Sequence, residues 1–435
     1  MISYDATLDR AVIRPVGRVF GSPSLPSDKS IAHRAALFAA VGDGTSDIIN
    51  FPRSADPRST LACISQLGIE IEEAGDELRI HGRGLHGLSA PSAPLDAGNS
   101  GTTMRLLAGL LAGQTFDSTI QGDESLNRRP MERIAKPLRQ MGASLHLTEG
   151  HAPIRIEGGH RLHGITYRLP IPSAQVKSCV LLAGLYAKGP TTVIEESVSR
   201  DHTERMLGLS TLDFGGERRI MLDEGTTISA RAWTIPHDFS AAAFFIVAAA
   251  LAQEGEVRME QVGLNPTRCA LLDVLQAMGA EIEISNEAEY SGEQVGDLIV
   301  KPSQLNAISV EGDIIPILID EIPILAVAAT AAEGRTEIRG ASELRVKETD
   351  RIRAMVDNLS ALGADVEEFE DGFAIQGPAT LMGTAVSSYG DHRIAMAMAV
   401  AGLIAKGETT IDRASCSGVS FPGFWEELSK VVEPA

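Results

Sequence analysis

The chain has 435 residues, too many for one ordinary hydrophobic core, which points to two domains. Its 44% hydrophobic and 22% charged content is that of a soluble globular protein, and 4% aromatic residues with 42 Gly favours helices packed closely on sheets. The formal net charge of −20 argues against nucleic acid and anionic membranes as main partners, so any anion site has to be a local concentration of Lys, Arg and helix ends.

The opening stretch MISYDATLDRAVIRP has no signal-peptide core, and the most apolar run, 241–252, is too short to span a bilayer. Cys63, Cys179, Cys269 and Cys416 are widely spaced and form no CxxC or Cys/His ligand pattern. They read as buried thiols of a cytoplasmic protein.

In chain order, one pattern recurs six times: a short polar motif, an apolar run of helix length, then Gly with Thr or Glu ahead of a β-branched strand. The runs are 31–41, 103–112, 176–187, 241–252, 322–332 and 394–405. Their Gly-bearing exits recur roughly every 65 to 80 residues, which marks internal duplication. Each run predicts a buried helix followed by a strand such as Thr191-Thr192-Val193-Ile194. A second helix ends in Leu/Met-Gly-Ala or a close variant, as at Gly68, Gly142, Gly279 and Gly363, where Gly suits a helix C-cap. Alternating strands such as 70–73 with 77–81 complete a mixed α/β unit of about 70 residues. Pro-bearing stretches at 21–26 and 233–236 divide the chain into three units over 24–235 and three over 236–435.

The six polar motifs stand where the helices should begin, and a helix N-terminus offers unpaired N–H groups and partial positive charge to an anion. Asp28-Lys29-Ser30 with His33 and Arg34 places a phosphate-binding cation at the first, although no Gly-rich P-loop precedes it. Gly98-Asn99-Ser100-Gly101-Thr102 lets backbone N–H groups approach a ligand closely at the second. Arg128-Arg129 supplies two guanidinium groups ahead of Pro130, and Ser173-Ala174-Gln175 brings hydroxyl and amide donors to the third helix. Asp238-Phe239-Ser240 opens the fourth. Asp320-Glu321 lies in an otherwise apolar stretch, where a carboxylate has to be capped, paired or functional. In Arg345-Val346-Lys347-Glu348-Thr349-Asp350-Arg351, the i,i+4 spacing of Lys347 and Arg351 predicts one helical face with Glu348 close by. Asp391-His392-Arg393 adds a further cation at the sixth start. Together these residues suit two anionic substrates and acid/base chemistry without a metal or nucleotide cofactor.

The motifs resemble those of the 5-enolpyruvylshikimate-3-phosphate synthase family over nearly the whole chain. They are Asp28-Lys29-Ser30 with His33-Arg34, GNSGTTMRLLAGLLAG from Gly98, Arg129-Pro130-Met131 and SAQVKS from Ser173. SRDHTERML from Ser199, LIDEIP from Leu318, RVKETDRIR from Arg345 and DHRIAMA from Asp391 complete the set. The resemblance implies an α/β fold of two similar domains, each an inside-out α/β barrel of three βαβαββ-type units, with the active site in the cleft between them. It implies domain bounds of 1–22 plus 236–435 and of 23–235, and closure on ligand.

It further implies transfer of the enolpyruvyl group of phosphoenolpyruvate to the 5-hydroxyl of shikimate 3-phosphate, through a tetrahedral intermediate, by a monomer with no cofactor and no metal. Asp320, Glu348 and Lys29 are the implied catalytic residues: base at the 5-hydroxyl, proton carrier at the methylene, and cation at the reacting centre. Gly101, Arg129 and Gln175 with Lys29 would hold the phosphate of phosphoenolpyruvate, and Arg351 and Arg393 its carboxylate. Ser30 and Arg34 would take the shikimate carboxylate. Ser173, Ala174, Gln175, Ser199, Lys347 and Lys29 would surround the rest of that substrate with Asp320.

Four positions depart from the family pattern: His237, Phe239, Glu343 and Val419, the last where some members carry a phosphate-binding Lys. Val419 and Glu343 alone leave room for a second reading, a non-catalytic or re-targeted paralogue that binds a related phosphorylated cyclic alcohol. The related enolpyruvyl transferase acting on UDP-N-acetylglucosamine is disfavoured, because none of the four Cys sits in a Gly- or Arg-rich loop.

Overall fold

The six apolar runs form helices α1 (Lys29–Val41), α2 (Gly101–Leu111), α3 (Ala174–Gly184), α4 (Phe239–Leu251), α5 (Ile322–Ala331) and α6 (His392–Ile404). The computed structural model describes residues 2–434. Each helix is buried on nearly every side; all but the last residue of α4 is buried. A helix apolar all round belongs in a core, and the surrounding sheets carry the exposed faces, as in Ser210–Phe214, which is exposed throughout. The second helices do end on left-handed Gly: φ is +87° at Gly68, +100° at Gly142, +106° at Gly279 and +92° at Gly363.

The chain divides into two compact units. The early unit comprises Ser27–Ile235 with Glu289–Glu293. The late unit comprises the residues through Pro26, Pro236–Ala288, and Gln294 onward. The division therefore falls between Pro26 and Ser27 rather than at 22/23. The tip of the hairpin formed by Glu281–Tyr290 and Glu293–Lys301 groups with the early unit, although its sequence position assigned it to the late one.

Sheet topology repeats with the helices. In the second repeat the lateral order is Leu95–Asp96, Ser118–Gln121, His151–Glu157, Ser144–Thr148; the first pair is parallel and the others antiparallel. The third and fifth repeats have the same order and sense. The others complete this pattern with strands from distant sequence. In the first repeat the opening strand is Trp233–Thr234, parallel to Ile48–Ile49 in the strand Asp43–Ile49. In the sixth, the closing strands are Arg10–Ile13 and Ile2–Asp5, added to Thr409–Asp412. In the fourth, residues 18–21 run parallel to 254–257, with Val19 N donating to Glu254 O at 3.0 Å. The N-terminal segment thus serves two repeats of the late unit. Both units are mixed α/β, three βαβαββ-type repeats each, with helices inside and sheets outside.

Candidate active site

The early unit gathers its polar residues at the starts of α1, α2 and α3. Asp28 caps α1, its carboxylate accepting from Ile31 N at 2.8 Å, which orients the first turn with Lys29 and Ser30 on it. Lys29 Nζ lies 3.0 Å from Asp56 Oδ2. Arg34, only 2% exposed, donates to Thr203 Oγ1 at 2.7 Å, Ser30 O at 2.8 Å and Ser178 Oγ at 2.8 Å. Burial draws its pKa down to about 10, against the opposing pull of Glu204. His33, fully buried, meets Thr60 Oγ1 at 2.7 Å through Nδ1, and burial depresses it to about 3.

Ser100 caps α2, accepting from Thr103 N at 3.1 Å, so Gly101 is the first helical residue. Arg129 Nη2 donates to Asn99 Oδ1 at 2.8 Å, and Arg105 donates to Gln175 Oε1. Gln175 Nε2 in turn donates to Thr102 Oγ1 at 2.9 Å. A Cβ built on Gly101 would stand 3.0 Å from Arg105 Nη1 and 3.6 Å from Arg129 Nη1. Gly101, Arg129 and Gln175 are therefore neighbours, and Arg105 joins them. Arg128, the other half of the Arg pair, points to Glu124 on the surface instead. Ser173 caps α3, placing Ala174 as its first residue. Ser199 is buried, its hydroxyl donating to Glu195 at 2.8 Å.

In the late unit one buried guanidinium organises the acidic residues. Arg351 Nε donates to Asp391 Oδ2 at 2.7 Å, Nη2 to Glu348 Oε2 at 2.6 Å and Nη1 to Asp320 Oδ1 at 3.2 Å. Burial pulls the Arg351 pKa down, but Asp391, Glu348 and Asp320 more than offset it and the net shift is upward. Lys347 Nζ lies 3.9 Å from Asp320 Oδ1; burial lowers its pKa against Asp320's attraction. Arg393 Nη1 donates to Asp320 O at 2.8 Å and Glu321 Oε1 at 3.2 Å, and its Nη2 lies 3.7 Å from Asp320 Oδ2.

The expected helical face over 345–351 is not there. Ser342–Val346 is a 3₁₀ turn, Lys347 is extended, and the α-helix begins only at Arg351, with Asp350 capping it at 3.0 Å to Arg353 N. Lys347, Glu348 and Arg351 are brought together by this bend. Arg345 turns away to Asp350, Glu368 and the Phe369 carbonyl.

Glu321 makes no cap bond at the start of α5. It is 1% exposed and accepts from Ser240 Oγ, Arg268 Nη1 at 3.2 Å and Arg393. Sequence reasoning missed Asp56, Arg105, Glu195, Arg268 and the pairing role of Asp391. Arg105 lies one turn after Gly101, so its i,i+4 position was a usable signal; the others are fixed by tertiary contacts.

Among the departures from the pattern, Phe239 is a core residue, His237 Nδ1 meets Glu260 O at 2.7 Å, and Val419 ends a 3₁₀ turn over Ala414–Val419. The thiols are free, and burial pushes Cys63 up to about 12 and Cys269 and Cys416 up to about 11, the range of unreactive thiols. Among the described residues no single helix is long and apolar enough to cross a membrane.

Helix starts laden with cations and three carboxylates on one guanidinium, in a chain of six repeats, match a known class. The structure aligns with an enolpyruvyl transferase of Streptomyces tendae at TM-score 0.75 and 19% identity, covering 97% of this chain and 96% of that one, which establishes the shared fold. Residues 13–428 match the family described as EPSP synthase (3-phosphoshikimate 1-carboxyvinyltransferase), and the chain belongs to that family. It is 60% identical over 416 residues to the 3-phosphoshikimate 1-carboxyvinyltransferase of Salinibacter ruber (strain DSM 13855 / M31), spanning 94% of this chain and 96% of that protein. A solved EPSP synthase from Acinetobacter baumannii matches at TM-score 0.88 and 43% identity, over 98% of both chains.

Proposed function

We propose a division of labour among these residues for the reaction of the family. The chain is an enolpyruvyl transferase of the shikimate pathway: it moves the enolpyruvyl group of phosphoenolpyruvate to the 5-hydroxyl of shikimate 3-phosphate and releases phosphate. The observation that carries the residue assignment is Arg351 holding Asp320 and Glu348 at 3.2 and 2.6 Å, because addition and elimination need two separate proton-transfer groups.

In addition, Asp320 takes the proton of the 5-hydroxyl as its oxygen bonds to C2 of phosphoenolpyruvate, and Glu348 gives a proton to the C3 methylene. In elimination, Glu348 removes a methyl proton, the double bond re-forms and the C2–O bond to phosphate breaks, with Lys29 stabilising the departing charge. Arg129, Gln175 and the Gly101 N–H bind the phosphate of phosphoenolpyruvate; their adjacency through Arg105 supports this. Arg351 and Arg393 hold its carboxylate. Ser30 and Arg34 take the carboxylate of shikimate 3-phosphate, while Ser173, the Ala174 N–H, Ser199 and Lys347 surround its phosphate. Cytoplasmic placement belongs to the same reading and is supported by four free thiols.

The test is phosphate release from both substrates, the product followed by phosphorus NMR, with each substrate omitted in turn. Release that requires both, with an enol ether product, is expected. Tight binding of shikimate 3-phosphate without release would transfer the assignment to a non-catalytic paralogue.

A further inference from the structure

A buried ion cluster beneath the start of α3 has no task in the reaction above. Lys177 is fully buried, and its ammonium donates to Glu195 Oε1 at 3.0 Å and to the Ser199 carbonyl at 3.1 Å, with Glu204 Oε1 at 2.7 Å. Glu195, at the end of the strand Thr191–Glu195, also accepts from Ser199 Oγ at 2.8 Å and Ser199 N at 3.3 Å. All three polar groups of Ser199 are thus held by two side chains. One lysine with two carboxylates is an expensive thing to bury, and well-packed apolar residues would stabilise the fold at least as well. Burial lifts the Glu204 pKa; Lys177 rises despite burial because Glu204 and Glu195 flank it.

The cluster reaches a second substrate-facing group. Glu204 lies on the helix His202–Leu207, and the preceding Thr203 accepts from Arg34 Nε at 2.7 Å and meets Ser178 Oγ at 2.7 Å. Glu204 is also the carboxylate that most strongly stabilises the Arg34 charge. For the Ser199 hydroxyl to donate to a phosphate it has to rotate away from Glu195. Glu195 then keeps Lys177 and the Ser199 N–H as donors, so the rotation leaves no buried carboxylate without a partner.

We propose that Lys177, Glu195 and Glu204 are positioning residues for shikimate 3-phosphate alone: they fix Ser199 and Arg34 relative to one another and leave phosphoenolpyruvate recognition untouched. This rests on the assignment of Ser199 and Arg34 to the two anionic ends of that substrate.

The experiment is steady-state kinetics in both substrates for Glu195→Gln, Glu204→Gln and the two reference variants Ser199→Ala and Arg34→Gln, with melting curves for each. The amide introduced by Glu195→Gln offers one acceptor oxygen in place of two, so the Ser199 hydroxyl or Lys177 loses a partner. The expected result is a rise of about tenfold in KM for shikimate 3-phosphate, with KM for phosphoenolpyruvate within about twofold. An unchanged KM for shikimate 3-phosphate, or equal rises for both substrates with a lowered melting temperature, overturns the proposal. Should Glu195→Gln fail to fold, Glu204→Gln tests the Arg34 arm: it leaves all three Ser199 bonds intact and removes the charge beside Arg34, and the same selective rise in KM for shikimate 3-phosphate is expected, an unchanged value overturning the proposal. If Ser199→Ala and Arg34→Gln leave that KM unchanged, the substrate assignment itself fails. If they raise it and Glu195→Gln does not, only the positioning role fails.

Discussion

The two units use the same repeat and compensate their buried cations differently. In the early unit Arg34 is ringed by hydroxyls and a carbonyl, from Thr203, Ser178 and Ser30, and burial pulls it down to about 10. In the late unit Arg351 has three carboxylates within 3.2 Å, and its pKa moves up. A cation held by neutral acceptors keeps charge to offer an incoming carboxylate. A cation surrounded by carboxylates also orients those carboxylates, which on the proposed assignment suits proton transfer by Asp320 and Glu348. One scaffold therefore yields a buried cation with neutral hydrogen-bond partners in one half and a buried cation that gathers carboxylates in the other.

The sharpest way to break this contrast is Glu348→Gln, which keeps an acceptor for Arg351 and removes the titrating group. Turnover should fall by about 10²- to 10⁴-fold, with both KM values within a few-fold. Near-normal turnover in the phosphate-release assay would exclude Glu348 as the methylene proton carrier.

Asp391→Asn comes next. The amide retains a cap acceptor for Arg393 N, which lies 2.8 Å from Asp391 Oδ1, but strips one charge from the surroundings of Arg351. Breaking a buried pair costs about 3–5 kcal/mol, which denaturant unfolding should register. A loss below about 1 kcal/mol, the level of exposed pairs, would show that Asp320 and Glu348 suffice.

The early unit has its own pH signature. His33 titrates at about 3 when folded, against 6.5 ordinarily, because burial disfavours its charged form. Between pH 6.5 and 3 the unfolded chain binds the extra proton, so this contribution is present above pH 6.5 and lost as the pH falls, at up to about 1.4 kcal/mol per pH unit. His33→Asn should flatten that acid limb in unfolding curves taken from about pH 7 to about pH 4.5; an identical limb would trace the acid sensitivity to other groups.

The smallest effect expected is at Gly101→Ala. A methyl 3.0 Å from Arg105 Nη1 shifts the guanidinium cluster without unfolding anything. KM for phosphoenolpyruvate should rise about tenfold, some 1.4 kcal/mol, with that for shikimate 3-phosphate little changed. Equal rises would mean that Gly101 does not distinguish the two.

Much of this was legible in the sequence because it is local. A helix buried on all sides needs an apolar run, a capping residue and a Gly exit, and all three lie within about 20 residues of one another. Five helix starts carry caps that a reader of the sequence would choose: Asp28, Ser100, Ser173, Asp238 and Asp391. The sixth, Glu321, broke the rule because three groups far away in sequence, Ser240, Arg268 and Arg393, had a stronger claim on its carboxylate. The run 345–351 misled for the opposite reason. Its spacing fits a helix, yet the helix waits for the Asp350 cap, and the bend before it gathers Lys347, Glu348 and Arg351. Nothing in the spacing announced that Trp233–Thr234 would open the first repeat's sheet, since strand pairing across such a distance leaves no periodic trace.

That dependence on distant strands sets an order of events during synthesis. Residues 10–13 leave the ribosome long before 409–412, the strand they pair with. At ordinary elongation rates the interval is roughly 20 to 80 s. Throughout it the nascent chain carries the hairpin of Ile2–Asp5 and Arg10–Ile13 with one edge unpaired, a hazard for pairing with a neighbouring polysome product, and its length of four residues keeps that hazard small. Stalled chains ending short of 409 should be cut by protease within 10–13, and chains long enough to expose 412 should not.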